Sequence, residues 1–296
     1  MKPFLKKIGI FFIVLLLGFA ITLISTKILV ANWFDFSISK EKNILILGDS
    51  HTQCALNDTI ISNALNMSES ADTYFYSYTK LKNIIPSNKQ IDTLILGYAP
   101  NNLSVTQDNW LVDSSINGFK LPLHFFLFDK NDTTEFLSNA PFQLVQNVPF
   151  IIKNNLGHLY RIKKKEKINH FGIGGFLALS HVDTTQEKKE IVDENVHKEV
   201  KFGSKDIVYL QKIYSLCEKN KIKLILLDTP IEQKLHAEPS VFYNKYLEFK
   251  NSNLPNATLL DYSKIPFDKK DFADKDHLNA NGARLFSLWF VKQLYN

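Results

Sequence analysis

An uncharged apolar run of 19 residues, at positions 8–26, constrains this 296-residue chain more than any other feature. A helix of that length spans about 28 Å, close to the ~30 Å hydrocarbon core of a bilayer. A helix buried in a soluble protein does not need apolar residues on every face. The run therefore predicts a transmembrane helix, which we place at residues 8–31.

Lysines flank the run unequally, with three before it and one, Lys27, after it. Under the positive-inside rule this excess favours a cytoplasmic N-terminus, residues 1–7. A cleaved signal peptide is the alternative, but its apolar region is usually about 7–15 residues long and ends in an A-x-A-like site. The sequence Leu-Val-Ala at 29–31 fits such a site poorly. We therefore expect an uncleaved anchor in a single-pass membrane protein whose larger domain, residues 32–296, is periplasmic or on the cell surface.

The formal net charge of +5 would suit a nucleic-acid or membrane partner. Four lysines and no acidic residue lie among residues 1–31, so residues 32–296 hold 31 basic and 30 acidic side chains. Such a nearly neutral domain lacks the positive surface that nonspecific nucleic-acid binding requires. We therefore expect a membrane contact through the N-terminal helix and no nucleic-acid partner.

Short apolar runs alternate with helical patterns in the rest of the chain. Each run has the length of a strand, and continuous apolar strands are typical of a parallel sheet covered by helices on both faces. The alternation predicts an α/β fold, a three-layer α/β/α domain with a central parallel sheet. The predicted strands lie at 43–48, 91–97, 222–228 and 257–262, and the predicted helices at 50–65, 73–85, 204–220, 237–250 and 279–295.

Residues 101–200 interrupt this alternation. They contain three prolines, a Phe-rich patch at 124–128 and a basic stretch at 161–167. We interpret them as one long insertion between the second and third predicted strands, and insertions of this size often form lids or binding elements. The basic stretch is typical of a solvated face, or of a surface that contacts anionic lipid or polymer.

The sequence Gly48-Asp49-Ser50-His51 directly follows the first predicted strand. Open α/β proteins place their sites at this carboxyl edge of the sheet. A serine at the start of the following helix lies near free backbone N–H groups and the positive end of the helix dipole, which would stabilise an oxyanion beside it. The alternative is that Ser50 only caps the helix, a common role for serine.

A second candidate sequence, Asp274-Lys275-Asp276-His277, precedes the last predicted helix. Histidine can act as a general base near neutral pH, and a carboxylate can hold its ring in the required tautomer. A separation of three residues lets Asp274 and His277 converge in a tight turn. The alternative is a solvated charged loop before a helix.

Together the two sequences resemble the SGNH (GDSL-like) hydrolase superfamily, whose members carry a GDS block near the start of the domain and a D-x-x-H block near its end. The resemblance covers roughly residues 43–100 and 204–296. It implies a flavodoxin-like sheet in the order 2-1-3-4-5. It also implies that Ser50 is the nucleophile, His277 the general base and Asp274 the residue that orients His277.

The middle blocks of that superfamily match less closely. The string at 66–72 carries Ala71 in place of a glycine whose backbone N–H enters the oxyanion hole. After the next strand, Ala99 stands where the superfamily has an asparagine, and Asn101 is displaced by two residues. The resemblance thus implies an oxyanion hole made by the N–H groups of Ser50 and Ala71. Asn101 either reaches in from a longer loop or leaves the hole with two donors.

The histidine after the serine is similar to a subset of the superfamily. Those proteins are membrane-anchored or membrane-fused and handle acyl groups on cell-envelope polysaccharides, some of them beside membrane-bound O-acyltransferases. The resemblance implies a membrane-anchored serine esterase or O-acyltransferase whose substrate is an acylated polysaccharide or another acyl ester. Asp49 and His51 are then further substrate-binding candidates. The alternative is a catalytically weak accessory protein that partners a membrane-bound O-acyltransferase.

We expect neither a cofactor nor a metal. The chain has no C-x-x-C spacing, and Cys54 and Cys217 are too few for a disulfide framework. Carboxylates and histidines occur in both candidate sequences, but no pair of histidines has the spacing of metal ligands on one helix face.

Overall fold

The computed structural model of the protein describes residues 2–182, 201–232 and 241–294. Part of the predicted insertion at 101–200 and the start of the helix predicted at 237–250 lie outside the described residues. In chain order, the described α-helices and strands are α1 (Lys2–Trp33), β1 (Ile44–Leu47), α2 (Ser50–Ala55), β2 (Ala64–Asn66), α3 (Tyr74–Ile84), β3 (Thr93–Gly97), α4 (Val105–Trp110), α5 (Ser114–His124), α6 (Lys130–Asn139), α7 (Pro141–Lys163), α8 (Asp206–Asn220), β4 (Lys223–Asp228), α9 (Val241–Asn253), β5 (Thr258–Asp261) and α10 (Ala280–Leu294).

The chain forms two compact units. The sheet unit consists of residues 37–111 and 173–296, and the helical unit consists of residues 1–36 and 112–172. Residues 112–172 of the helical unit therefore lie inside the predicted insertion at 101–200. They form α5, α6 and α7 in succession.

The sheet unit is built on a five-stranded sheet in which every pair of neighbouring strands is parallel. The strand order is β2-β1-β3-β4-β5. β1, β3, β4 and β5 fall within the four predicted strands, which confirms the prediction of an α/β fold with a parallel sheet. The SGNH resemblance implies the same order, but doubly wound proteins of many functions share it, so it does not identify an activity.

The strand β2 corrects the helix predicted at 50–65. The helix α2 ends at Ala55, and the chain then turns into β2. The Asn57 side chain accepts the backbone N–H two residues on, at 2.9 Å, and the Asp58 carboxylate accepts the N–H of Asn66, also at 2.9 Å. Such side-chain bonds compete with the helical backbone pattern. The apolar residues that suggested a longer helix therefore belong to a turn and a short edge strand.

Helices cover both faces of the sheet. Ile44 and Ile46 of β1 and Ile95 of β3 pack on one face with Phe286 and Phe290 of α10. The helix α8 contacts β4 and packs against α3, and neither helix contributes to that cluster. Because β1 and most of β3 and β4 are buried on both faces, their sequences are continuous apolar runs rather than alternating ones.

A glycine lets the ends of β1 and β3 approach closely. Gly48 has a φ of +143°, and a Cβ there would lie 3.0 Å from the backbone nitrogen of Gly97 and would also collide with the Thr52 side chain. Glycine adopts this backbone conformation without steric cost. The segment that follows Gly48 therefore starts at the carboxyl edge of the sheet, beside the end of β3.

The helical unit contains α1 together with α5, α6 and α7. The segment Pro3–Trp33, which contains an 18-residue stretch of mean hydropathy 2.8, is long and apolar enough to cross a membrane, a test that signal sequences also pass. Near the end of the segment Val30 is buried, as is Phe34 directly after it. The Phe34 ring packs against the rings of Phe126 and Phe171, with centroids 5.0 and 4.5 Å apart. The end of α1 is thus part of the core of this unit.

Candidate active site

Ser50 is the first residue of α2, directly beyond the carboxyl end of β1. Asp49 precedes it as the N-cap, and its Oδ1 accepts the N–H of His51 at 3.0 Å. The capping role that the sequence offered to Ser50 is therefore filled by Asp49. The Ser50 hydroxyl is free to bond elsewhere, and it lies 2.7 Å from Nε2 of His277.

His277 lies in the tight turn before α10, as the three-residue separation from Asp274 predicts. Oδ1 of Asp274 accepts the backbone N–H of His277 at 2.8 Å. The ring Nδ1 of His277 lies 2.8 and 3.0 Å from the two carboxylate oxygens of Asp274. An ionised carboxylate only accepts hydrogen bonds, so Nδ1 carries the proton, and Nε2 of the neutral ring accepts the bond from Ser50. This arrangement can draw a proton from a serine hydroxyl.

The start of α10 holds this turn in place. Asn279 caps the helix by accepting the N–H of Gly282 at 3.1 Å. Gly282 packs on the carbonyl of Asp271, where a Cβ would collide. The N–H of Ala273 donates to the carbonyl of His277 at 2.8 Å. These contacts explain the Asn and Gly that follow the D-x-x-H sequence.

A second histidine stacks on the first. The rings of His51 and His277 are 4.9 Å apart at their centroids and nearly parallel, with an interplanar angle of 21°. Nδ1 of His51 lies 3.2 Å from Asp49, and Nε2 lies 3.7 Å from Asp276. Burial lowers the pKa of His51, but the charge of Asp49 and the nearby Asp276 carboxylate outweigh burial and raise that pKa to about 10. His51 is therefore a cation at neutral pH.

The pKa of His277 reflects opposing neighbours. Burial lowers this pKa, and so does the positive charge of His51. The nearby Asp276 carboxylate and the charge of Asp274 act the other way and hold the pKa above its ordinary value. Asp276 therefore contacts both histidines, since its Oδ1 also lies 3.4 Å from Nδ1 of His277.

Asp49 is a buried carboxylate held between two partners. Burial raises its pKa, but the adjacent His51 cation and the Asn102 amide outweigh burial and lower the pKa to about 2. Nδ2 of Asn102 donates to Oδ2 of Asp49 at 2.8 Å, and Oδ1 of Asn102 accepts the N–H of Ala99, also at 2.8 Å. Asp49 thus fixes His51 in the site and is itself fixed by the loop after β3.

The asparagine that contacts Asp49 beside Ser50 is Asn102. Asn101, for which the sequence left two alternatives open, makes no contact of that kind with the described residues of the site. Asn101 is exposed, and its carbonyl accepts the N–H and the hydroxyl of Ser104 at 3.1 and 2.7 Å. It lines a separate groove of about 350 Å³ whose walls include Trp110 and Phe242. A short turn of 3₁₀ helix, Pro100–Leu103, carries Asn102 towards Asp49. No sequence pattern indicated a role for Asn102, because its contact with Asp49 depends on this short 3₁₀ turn.

Ala71 lies on a turn that packs beside β1 and α2. Its φ of +57° is a left-handed conformation, which glycine adopts more readily than other residues. The N–H of Glu69 donates to the carbonyl of Gly48 at 3.0 Å, and the Ser70 hydroxyl donates to Gln53 of α2 at 2.8 Å. The N–H of Ala71 makes no hydrogen bond to any residue that the structure describes.

The carboxylates at the site also define a cluster that could be considered for a metal. Asp274, Asp276 and His277 each offer a ligand atom, and these atoms lie within 4.8 Å of one another. However, Nδ1 of His277 is bonded to Asp274 and Nε2 to Ser50. Both ring nitrogens of His277 are therefore used in hydrogen bonds, which suits proton transfer better than the binding of a metal ion.

The parallel sheet and the bonded side chains of Ser50, His277 and Asp274 together define an α/β protein with a serine–histidine–aspartate site at the carboxyl edge of its sheet. One model of an uncharacterised protein family matches residues 177–296. The matched segment contains Asp274 and His277 but not Ser50, and it covers less than half of the chain. No curated protein matches this sequence.

Proposed function

We propose that the protein is a membrane-anchored serine esterase or O-acyltransferase of the SGNH type that acts on acyl esters of cell-envelope polysaccharide. One observation carries the proposal. The Ser50 hydroxyl lies 2.7 Å from Nε2 of His277, whose Nδ1 lies 2.8 Å from Asp274. Both distances are within the range over which a general base can take a proton from a nucleophile.

The proposed reaction has two steps. In the first, Ser50 attacks the acyl carbonyl while Nε2 of His277 takes the hydroxyl proton, and the N–H groups of Ser50 and Ala71 stabilise the oxyanion. The ester C–O bond then breaks, and His277 returns the proton to the leaving alcohol. In the second step water or a sugar hydroxyl attacks the acyl-serine, with His277 again taking and returning the proton. Asp274 keeps His277 in the required tautomer throughout.

The membrane part of the proposal rests on α1. The segment is apolar enough to cross a bilayer, and three lysines precede it, which favours an extracytoplasmic position for the rest of the chain. Burial of Val30 and Phe34 in the helical unit favours retention of the helix, because cleavage near residue 31 would remove part of that core. The polysaccharide substrate rests on the resemblance at His51 alone.

A catalytically weak accessory protein, partner of a membrane-bound O-acyltransferase, is the second candidate. The position of Asn101 favours it, because this side chain lines a separate groove instead of adding a third donor beside Ser50. Loss of one oxyanion donor can slow such a reaction by ~10²–10³-fold. An accessory role, however, gives no reason for the alignment of Ser50, His277 and Asp274.

A fluorophosphonate probe and an acetyl ester substrate distinguish the two candidates. We expect covalent labelling of Ser50 in the intact protein, and a loss of labelling and of at least ~10³-fold in hydrolysis rate in Ser50→Ala. Ser215→Ala is the matched control, because that hydroxyl lies on α8 and, among the described residues, donates to the carbonyl of Gln211 and not to the site. Folded protein that is never labelled, or Ser50→Ala with the wild-type rate, would contradict the enzyme proposal.

A further inference from the structure

The helix α7 presents an apolar stripe on its outer face. Three of its large apolar side chains are strongly exposed: Phe142 is 81% exposed, Val145 66% and Tyr160 60%. Leu156 is 54% exposed. Their spacing of three and four residues places them on one side of a helix. The stripe consists of Phe142, Val145, Pro149, Ile152, Leu156 and Tyr160.

The inner face of α7 is more polar than its outer stripe. Asn147, Asn155 and His158 are buried there beside Leu144 and Ile151. A surface helix of a water-soluble protein has the opposite polarity, with its apolar stripe facing the core. Polar side chains turned inward and apolar side chains turned outward are expected where the surroundings are themselves apolar.

The same helix packs against the membrane-length helix α1. Nδ2 of Asn155 donates to the Thr26 hydroxyl at 3.2 Å. Thr26 also donates to the carbonyl of Thr22, within the apolar segment of α1. Hydrogen bonds between amide and hydroxyl side chains of neighbouring helices are characteristic of helix pairs in lipid. The two helices therefore share a contact of the kind found inside membranes.

Charge at the end of α7 fits a lipid surface as well. The exposed side chains of Arg161, Lys163, Lys164, Lys165 and Lys167 follow the stripe directly, and Glu166 is the one acid among them. Tyrosine is enriched where hydrocarbon meets headgroups, and Tyr160 ends the stripe at that point. Clusters of lysine and arginine beside an amphipathic helix attract anionic headgroups.

We propose that α7 lies in the membrane interface, with its apolar stripe against lipid acyl chains and the basic segment 161–167 against anionic headgroups. The occupant of this face is lipid rather than a second copy of the chain. Three observations support lipid: the inverted polarity of α7, its hydrogen bond to α1 and the basic segment at its end. The inference does not depend on the chemistry of Ser50.

Spin-label accessibility tests the proposal on the full chain. Single cysteines are introduced at Val145 and Leu156, with Cys54 and Cys217 replaced, and the protein is reconstituted in phosphatidylethanolamine–phosphatidylglycerol vesicles. Oxygen concentrates in hydrocarbon, whereas a hydrophilic nickel chelate is excluded. We therefore expect an oxygen-to-nickel accessibility ratio roughly fivefold or more above that of an aqueous site. Val208→Cys on α8 is the matched aqueous control, because it is also an exposed valine on a helix.

Two outcomes would overturn the proposal. Labels at Val145 and Leu156 that match Val208 in nickel accessibility would show that the stripe faces water. Labels shielded from both reagents would show that protein covers it, either a second copy or another partner. If Val145→Cys fails to fold, Phe142→Cys probes the same stripe, and the thermal transition of each variant is compared with that of the wild type.

Discussion

The two histidines at the site have different electrostatic roles although their rings are stacked. His51 lies between Asp49 and Asp276 and is a cation at neutral pH, because its pKa is about 10. His277 must be neutral to take the proton of Ser50. The His51 cation lowers the pKa of His277, and the neighbouring Asp276 carboxylate raises it. His51 and Asp276 therefore act on the proposed base with opposite signs.

The acid limb of the pH–rate profile should reveal this opposition. In the proposed reaction, ester hydrolysis falls as His277 becomes protonated, so the midpoint of the acid limb follows the pKa of His277. His51→Gln removes a neighbouring cation, favours protonated His277 and should move the limb to higher pH. Asp276→Asn removes a carboxylate and should move the limb to lower pH. The measurement is kcat/KM against pH for both variants and the wild type.

Shifts of the same sign in the two variants would contradict this description of the site. Lys270→Gln is a suitable control, because its ammonium group pairs with Asp268 at 2.9 Å and touches neither histidine. We expect its acid limb to coincide with that of the wild type.

The sequence predicted the three aligned residues of the site but not their surroundings. Ser50, Asp274 and His277 lie in short local sequences, and spacing within a turn is readable from the chain. The contacts of His51 with Asp276 and of Asp49 with Asn102 join residues more than 50 positions apart. They depend on how β1, β3 and the turn before α10 meet at one sheet edge, and periodicity carries no information about that.

At the scale of elements, two buried aspartates link the starts of α3 and α8. The Asp108 carboxylate accepts the N–H groups of Ser204 and Asp206 at 2.6 and 2.8 Å, which are the free donors at the start of α8. Asp206 in turn accepts the N–H groups of Tyr74 and Phe75 at 2.8 and 3.0 Å, at the start of α3. Asp108 therefore holds the start of α8, and Asp206 of α8 in turn holds the start of α3.

Asp108→Ala should destabilise the sheet unit more than an ordinary cap mutation does. The substitution leaves the buried N–H of Asp206 without its acceptor, together with the partly buried N–H of Ser204. Loss of such a cap costs up to about 2 kcal/mol. The measurement is urea unfolding followed by circular dichroism. Asp113→Ala is the control, because Asp113 also caps a helix, α5, but is exposed and water can replace it. An equal or greater loss in Asp113→Ala would contradict this ranking.

Four of the five strands, β1, β3, β4 and β5, were predictable from the sequence, whereas β2 was missed. Each outcome has its own physical reason. Strands buried on both faces carry continuous apolar runs, which ended at Gly48 and Gly97 where backbones meet. β2 has only three residues and lies at the sheet edge. Its place was decided by side-chain bonds from Asn57 and Asp58, which a helical apolar pattern conceals.

At the scale of the whole molecule, α1 is part of the folded helical unit and is also the helix that is long and apolar enough to cross a membrane. Thr26, Val30 and Phe34 are buried, whereas nearly all earlier side chains of α1 are exposed. Lys27 lies over the Phe125 ring at 4.7 Å. A detachable signal sequence has no need of such contacts, and a retained helix would supply one wall of the helical unit.

In a chain that lacks residues 1–31, the amides of the helical unit should therefore lose protection against hydrogen exchange, whereas those of the sheet unit should keep it. In the same detergent as the full chain, we expect amides of α7 to exchange about tenfold faster or more, the change produced by losing about 1.4 kcal/mol of local stability. Amides of β1 and β4 should be unaffected, because their core is made by residues of the sheet unit. Leu16→Ala is the full-length control, since that side chain is 65% exposed and should leave α7 unchanged. Unaltered exchange in α7 of the truncated chain would mean that α1 is dispensable to the fold, as a cleaved signal sequence is.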